Sequence, residues 1–408
     1  MIIDYAILFA FPPLALFYFL VGLVYNPSKW RKYIPAFLFF VFIIICAFTL
    51  KHGTNKDLIR YYESLYLAKQ LTLPEISQFF DDGLYVMHFI YWGLGRLGVP
   101  QLLPALSITI VMLSVTYITC DLAEHYNSVK SIKFVLLFQL LLLPFMYVME
   151  TVRSGMALAL IILLAYLDIV KEEKNLFVFI GYLACIFIHH SAIFLILFRI
   201  ACSLPEKIKK VLLFFPVLTM PTIYYLQEII YRFNLVQYQF FVKLSSKALN
   251  YSTNEYTAYG LAAENSLSFL LLKTTMSVEA VLMLIIVFYL LKSGIIEEQR
   301  QRSFLYFFSL INLFVLAIVP MPVPLYWRFA AAGYACCGAY MMPVRKHYKC
   351  LPLAIKIVYL SLWLCTIPSL VFQIRWTYTY IDSILDWGAD ILLTNMYTVL
   401  FEILTNIL

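Results

Sequence analysis

The chain has 408 residues, 63% of them hydrophobic and 13% charged, with a mean hydropathy of +0.85. A soluble domain carries roughly 25% charged residues, so this composition excludes a soluble globular enzyme. The net charge of +7 is explained by the membrane topology derived below, without a nucleic-acid partner.

Apolar stretches such as Phe134 to Met149, Leu267 to Leu291 and Leu351 to Phe372 recur along the chain. They are near the ~17–25 residues that cross a hydrocarbon core as helix. Short charged loops separate them, unlike the period-2 pattern of an outer-membrane barrel. The expected fold is an all-α polytopic membrane protein of about twelve transmembrane helices, within about 11–14. The whole of 1–408 reads as one integral membrane domain.

In chain order, the start Met1-Ile2-Ile3-Asp4 lacks a basic n-region, so Ile7 to Val24 is expected to stay as a helix. Spans are expected near 5–24, 33–50, 101–121, 134–149, 154–170, 176–188, 191–203, 211–226, 267–291, 304–319, 329–343 and 352–373. Leu84 to Gly98 is apolar but short and carries Gly93, Gly95, Arg96 and Gly98. It is expected as a re-entrant or tilted element on the outer side. Two long outer loops, 51–83 and 227–266, leave room for amphipathic helices: Leu58, Tyr61, Tyr62, Leu65 and Tyr66 recur at helical spacing. The C-terminal segment 374–408 is a last or an interfacial helix.

Lys and Arg orient the spans. Arg31, Lys130, Lys171, Arg199, Lys209, Arg300 and Arg345 lie in or beside short loops of one side, which is therefore cytoplasmic, and the N-terminus is outside. The eight cysteines show no metal-type spacing and read as buried thiols. No His/Cys cluster, carboxylate repeat or phosphate-cradling glycine loop is present. The expectation is no metal, no nucleotide and no other cofactor.

Four regions at outer helix ends could carry chemistry, because charge inside a bilayer is expensive. The first holds Asp57, with Tyr61 one turn later; it is a solvated loop charge or a site carboxylate. The second holds Glu150 and Arg153. Its guanidinium is a snorkelling anchor or a planar fork aimed at phosphate. The third is His189-His190-Ser191, a packing pair or a source of acid, base or hydrogen-bond donor. The fourth is the proline-rich stretch Pro320 to Pro324, read as an extended loop, followed by Tyr326-Trp327-Arg328. This is an aromatic belt with its anchor, or a sugar-stacking and phosphate-binding group. Asp81-Asp82-Gly83 is a weaker carboxylate candidate. Lys273, Glu279 and Lys356 fall inside expected spans, as buried partners or as signs of shifted boundaries.

Taken together these regions are similar to the EpsG-like branch of the Wzy polysaccharide polymerases. Gly53-Thr54-Asn55-Lys56-Asp57 followed by Tyr61 resembles the first signature stretch. Glu150-Thr151-Val152-Arg153-Ser154-Gly155-Met156-Ala157 resembles an Arg-Gln-x-hydrophobic-Ala motif. Ile188-His189-His190-Ser191-Ala192-Ile193 resembles an apolar-His-x-Ser-Ala stretch. The likeness covers about Gly53 to Leu197, and the remainder by hydropathy. Ser154 stands where the family usually has Gln, so no role for an amide is carried over.

The resemblance implies a membrane glycosyltransferase, with a GT-C-like architecture compatible with it. It would polymerise undecaprenyl-diphosphate-linked repeat units of an O-antigen, capsule or exopolysaccharide at the outer, periplasmic face of a bacterial inner membrane. The partners implied are that lipid-linked glycan, the lipid bilayer, a chain-length regulator and a flippase. Arg153 and Arg328 would hold the diphosphate, and His189 would orient or transfer a proton. Asp57 would act as base, and Tyr61, Tyr326 and Trp327 would stack on sugar. Glu150, His190 and Asp81 stand behind these. The rivals are an O-antigen ligase, with one dominant outer loop instead of two, and a transporter or flippase. The latter should show repeated halves, and no repeat is visible.

Overall fold

The computed structural model describes residues 12–51, 56–143, 148, 151–213, 232–233, 267–319 and 323–378. Every regular element among the described residues is a helix. The first two are α1 (Pro12–Tyr25) and α2 (Trp30–Lys51); α3 (Lys56–Gln70), α4 (Leu73–Phe80) and α5 (Tyr85–Leu97) follow. Next come α6 (Leu102–His125), α7 (Ile132–Leu142), α8 (Val152–Ile169), α9 (Leu176–Ile188), α10 (Ala192–Ala201) and α11 (Glu206–Leu212). The last are α12 (Leu267–Lys292), α13 (Gln299–Ala317), α14 (Val323–Cys336), α15 (Gly338–His347) and α16 (Leu353–Tyr378). Among the described residues four helices are long and apolar enough to cross a membrane, over Leu102–His125, Val152–Ile169, Leu270–Lys292 and Leu353–Val371. The chain is a helical membrane protein.

At the centre, α6 and α8 run parallel in a fixed register. Ser107 Oγ donates to the Val152 carbonyl at 3.0 Å, and Ser114 Oγ to the Ala159 carbonyl at 2.9 Å. Tyr166 donates to Asp121 Oδ2 at 2.6 Å. All three pairs are 45 residues apart. Polar side chains seven residues apart on one face let the two backbones approach closely, as polar contacts do between helices in lipid.

One end of this pair gathers the short basic loops. Asp121, whose side chain is 5% exposed, takes Lys171 at 3.1 Å and Arg31 at 3.3 Å. Arg300 meets Glu172 at 2.8 Å and Arg199 meets Asp168 at 2.5 Å. The loops grouped by charge in the sequence are thus one end of the bundle.

The amphipathic helix expected in the first long loop is α3, which buries Leu58, Leu65 and Ala68 and leaves Arg60, Glu63 and Lys69 exposed. It is followed by α4, whose N-terminus is a capping box: the Glu75 carboxylate takes the Thr72 amide and hydroxyl, both at 2.7 Å. The short segment α5 then begins at the Asp82 turn. It ends where Val99 packs with Ile43, Cys46 and Leu102. Both its ends therefore lie at the end of the bundle opposite the basic loops, so α5 does not cross it.

Two expected boundaries shift. The stretch leading to Arg328 is not extended to that point: α14 starts at Val323, so Tyr326, Trp327 and Arg328 are helical. Pro324 sits in the first turn, where its missing N–H costs nothing. The span expected over 329–343 is broken at Cys337 between α14 and α15. Residues 227–231, 234–266 and 379–408 lie outside the described residues. Six of the eight cysteines are buried, with Cys350 exposed and Cys365 intermediate.

Candidate functional site

The end opposite the basic loops holds a cluster centred on Asp82. A tight turn presents it: Asp81 caps α4 in the left-handed region at φ 38°, and Gly83 follows at φ 73°. Between them the Asp82 carboxylate turns inward, while Asp81 is exposed. Asp82 Oδ1 accepts from the Leu84 amide at 3.1 Å and from His88 Nε2 at 2.8 Å. Asp82 Oδ2 accepts from Arg153 Nη1 at 3.2 Å. His190 Nε2 donates to the Asp82 backbone carbonyl at 2.9 Å, which requires the proton on Nε2. The Arg153 guanidinium also lies over the Tyr61 ring, 5.6 Å from its centroid.

Three helices and a corner supply these groups: α3 brings Tyr61, α5 His88, α8 Arg153 in its first turn, and the α9–α10 corner His190. They are held by direct packing of α5 on α3 and α9, and of α9 on α8. Arg153 and Asp82 are 32% and 23% exposed, whereas His88 is 1% exposed. At that exposure the Arg–Asp pair contributes on the order of 1 kcal/mol. Its main effect is to aim the guanidinium.

Burial raises the Asp82 carboxyl, but the His88 hydrogen bond, the Leu84 amide and the Arg153 charge outweigh it and hold the group below the usual carboxylate value. A carboxyl lowered by folding adds stability above its unfolded value of about 3.9. That stability is lost as pH falls through the lower folded value. The melting-temperature gap between wild type and Asp82→Asn is therefore expected at pH 6 and should narrow progressively as pH falls below about 4. A gap that stays constant with pH would show that the charge of Asp82 does not couple to folding.

The other expected site residues are placed as follows. His189 caps α9 and folds onto its own neighbour. Its Nδ1 accepts from the Ser191 amide at 3.2 Å and lies 2.6 Å from Ser191 Oγ. The adjacent His190 is the one that reaches Asp82. Asp57 lies in the first turn of α3, one turn before Tyr61. Its side chain, like Glu150, lies outside the described residues. Tyr326 and Trp327 are buried, and the Tyr326 hydroxyl lies 3.0 Å from Ser277 Oγ on α12. Arg328 lines a small cleft with Thr151, Gly155, Ala331 and Ala332. Arg153 thus belongs to the first turn of α8, and Arg328 shares a cleft with Thr151 and Gly155 beside that turn. Among the described residues no three His, Cys, Asp or Glu side chains converge to hold a metal. In the membrane interior Glu279 is fully buried, taking hydrogen bonds from Tyr334 and from Ser369, the latter at 2.9 Å. This suits a buried partner that locks α12, α14 and α16 together.

Sequence reasoning missed His88 and underrated Asp82. His88 is one histidine in an apolar run, and only its position one turn and a half after Asp82 gave any signal.

From Arg153 to Tyr166, level with Asp121, α8 rises about 20 Å at ~1.5 Å per residue. That is thinner than a ~30 Å hydrocarbon core. The long Arg31 and Lys171 side chains, 65% and 35% exposed, can reach outward from Asp121, and each cluster pairs its own charges.

A helical bundle with membrane-length helices and an ionised, accessible cluster at one end defines a polytopic membrane protein with a polar site at one face. A family model described as the EpsG family matches residues 32–330, and the chain belongs to the EpsG family. That family is one of membrane proteins of polysaccharide biosynthesis. Comparison with curated proteins and with solved structures gives no match.

Proposed function

We propose that this chain polymerises undecaprenyl-diphosphate-linked oligosaccharide repeat units at the outer face of the bacterial cytoplasmic membrane, with its N-terminus outside. The observation that carries the reading is Arg153, aimed by Asp82 over Tyr61 at the end of the bundle opposite the basic loops. By the charge rule those loops are cytoplasmic, which puts Arg153 on the outer side. The donor carries its own leaving group there, so neither nucleotide nor metal is required in the reaction. An acceptor sugar hydroxyl attacks the anomeric carbon of the donor. The bond to diphosphate breaks, and undecaprenyl diphosphate departs with the bonding electrons. Negative charge develops on its bridging oxygen, and Arg153, with Arg328 near the start of α8, stabilises it. The hydroxyl proton passes to a site base, Asp57 or His189.

The test is a reaction of purified full-length protein with the native undecaprenyl-diphosphate repeat unit, in EDTA and without nucleotide. A ladder of lengthening glycans is the expected result. No ladder from folded protein on verified substrate would overturn the reading, and transport of the same lipid in proteoliposomes would then be measured.

A further inference from the structure

His88 takes no part in the reaction as written, yet it is the most deeply buried polar group of the cluster at 1% exposed. Its Nε2 is 2.8 Å from Asp82 Oδ1 and its Nδ1 is 3.4 Å from Ser77 Oγ on α4. The ring stacks on Phe80 with centroids 5.5 Å apart. It is too enclosed to touch a substrate. What it does is divide the Asp82 carboxylate: Oδ1 is held by His88 and the Leu84 amide, and Oδ2 meets Arg153 through Nη1 at 3.2 Å.

That division has a chemical consequence. A carboxylate with both oxygens available pairs with a guanidinium through two parallel hydrogen bonds, the strongest arrangement for the two groups. A phosphate uses the same fork. An unrestrained Asp82 would compete with a substrate phosphate for Arg153, whereas a carboxylate pinned by one oxygen orients the guanidinium without occupying its fork. We propose that His88 is a positioning residue for diphosphate recognition, holding Asp82 so that Arg153 is aimed but kept available to the lipid diphosphate. The proposal rests on the polymerase reading for the identity of that diphosphate.

The experiment measures KM and kcat for the lipid-linked donor with purified His88→Leu, His88→Asn and His88→Gln, and binding of farnesyl diphosphate as a probe. Leu removes the donor to Asp82. Asn keeps a polar group but is too short to reach it, which covers the case in which the Leu variant fails to fold. Gln places an N–H near the position of Nε2. Leu and Asn are expected to raise KM and the probe Kd tenfold or more, with kcat within threefold. Gln should restore both constants to within threefold of wild type. In an Asp82→Asn background His88→Leu should add no further loss, because there is no longer a carboxylate to restrain. Folded Leu and Asn variants with wild-type KM would overturn the proposal. So would a Gln variant as impaired as Leu, or additive losses with Asp82→Asn. Wild-type protein that binds the probe without forming a ladder would remove the polymerase reading alone, leaving the His88 effect to be read on Kd. Neither binding nor ladder would overturn both.

Discussion

Arg153→Ala is expected to abolish glycan extension, lowering kcat by ~10²–10³, the usual loss on removing one preorganised charge donor from an anionic transition state. The guanidinium, in the first turn of α8, meets both the Asp82 carboxylate and the Tyr61 ring. Its role in folding is small, since the pair it makes is partly exposed. The variant should therefore stay folded, and its melting temperature should remain within a few degrees of wild type. Arg153→Lys should recover only part of the rate, because an ammonium keeps the charge but lacks the planar two-point fork. Initial rates of ladder formation, with size-exclusion profiles as the folding check, decide the matter. A folded Arg153→Ala protein that extends glycan at the wild-type rate would exclude Arg153 from the chemistry.

Gly95→Val is the second large effect, and it acts through packing. A Cβ at Gly95 would stand 2.6 Å from the Leu65 carbonyl oxygen, 3.2 Å from the Lys69 amide and 3.3 Å from the Ala68 side chain. The first two are α3 backbone, which cannot move aside as the end of a flexible side chain would. The two helices must separate, and α3 carries Tyr61 while α5 carries His88. Overpacking of this kind costs about 1–3 kcal/mol or more, and here it also displaces the partners of Arg153. Both melting temperature and polymerisation should fall. Gly93→Ala, two residues earlier on the same helix, meets nothing within 4 Å. It should be neutral or stabilise by about 0.5–1 kcal/mol through helix propensity. Equal behaviour of the two variants would contradict the packing of α5 on α3.

The cluster explains which parts of a site a sequence exposes. Arg153, Tyr61 and the His189-His190 pair were all legible, because a charge or an imidazole at the edge of an apolar run is conspicuous against its background. Which histidine reaches Asp82 was not legible. Adjacent residues at a helix end point in different directions, and the α9 cap turns His189 onto Ser191 and His190 onto the Asp82 carbonyl. The same holds for Asp81 and Asp82, which the left-handed residue at Asp81 and the glycine after it separate into an exposed and an inward carboxylate. Tyr326 and Trp327 looked like an exposed aromatic group because prolines precede them. The helix in fact starts before them and buries both.

Composition and periodicity alone determined that this chain is a helical membrane protein, where most of its long helices run, and that its short basic loops belong to one side. These follow from one-dimensional rules: a hydrocarbon core has a set thickness, backbone groups inside it must bond within a helix, and lysine and arginine favour one face. The tertiary structure decided that α5 returns to the end where it began, that α6 and α8 run parallel in register, and that Asp82 and His88 join Arg153. Those outcomes depend on contacts between residues far apart in the chain, where side-chain direction and helix packing act and sequence spacing carries no information.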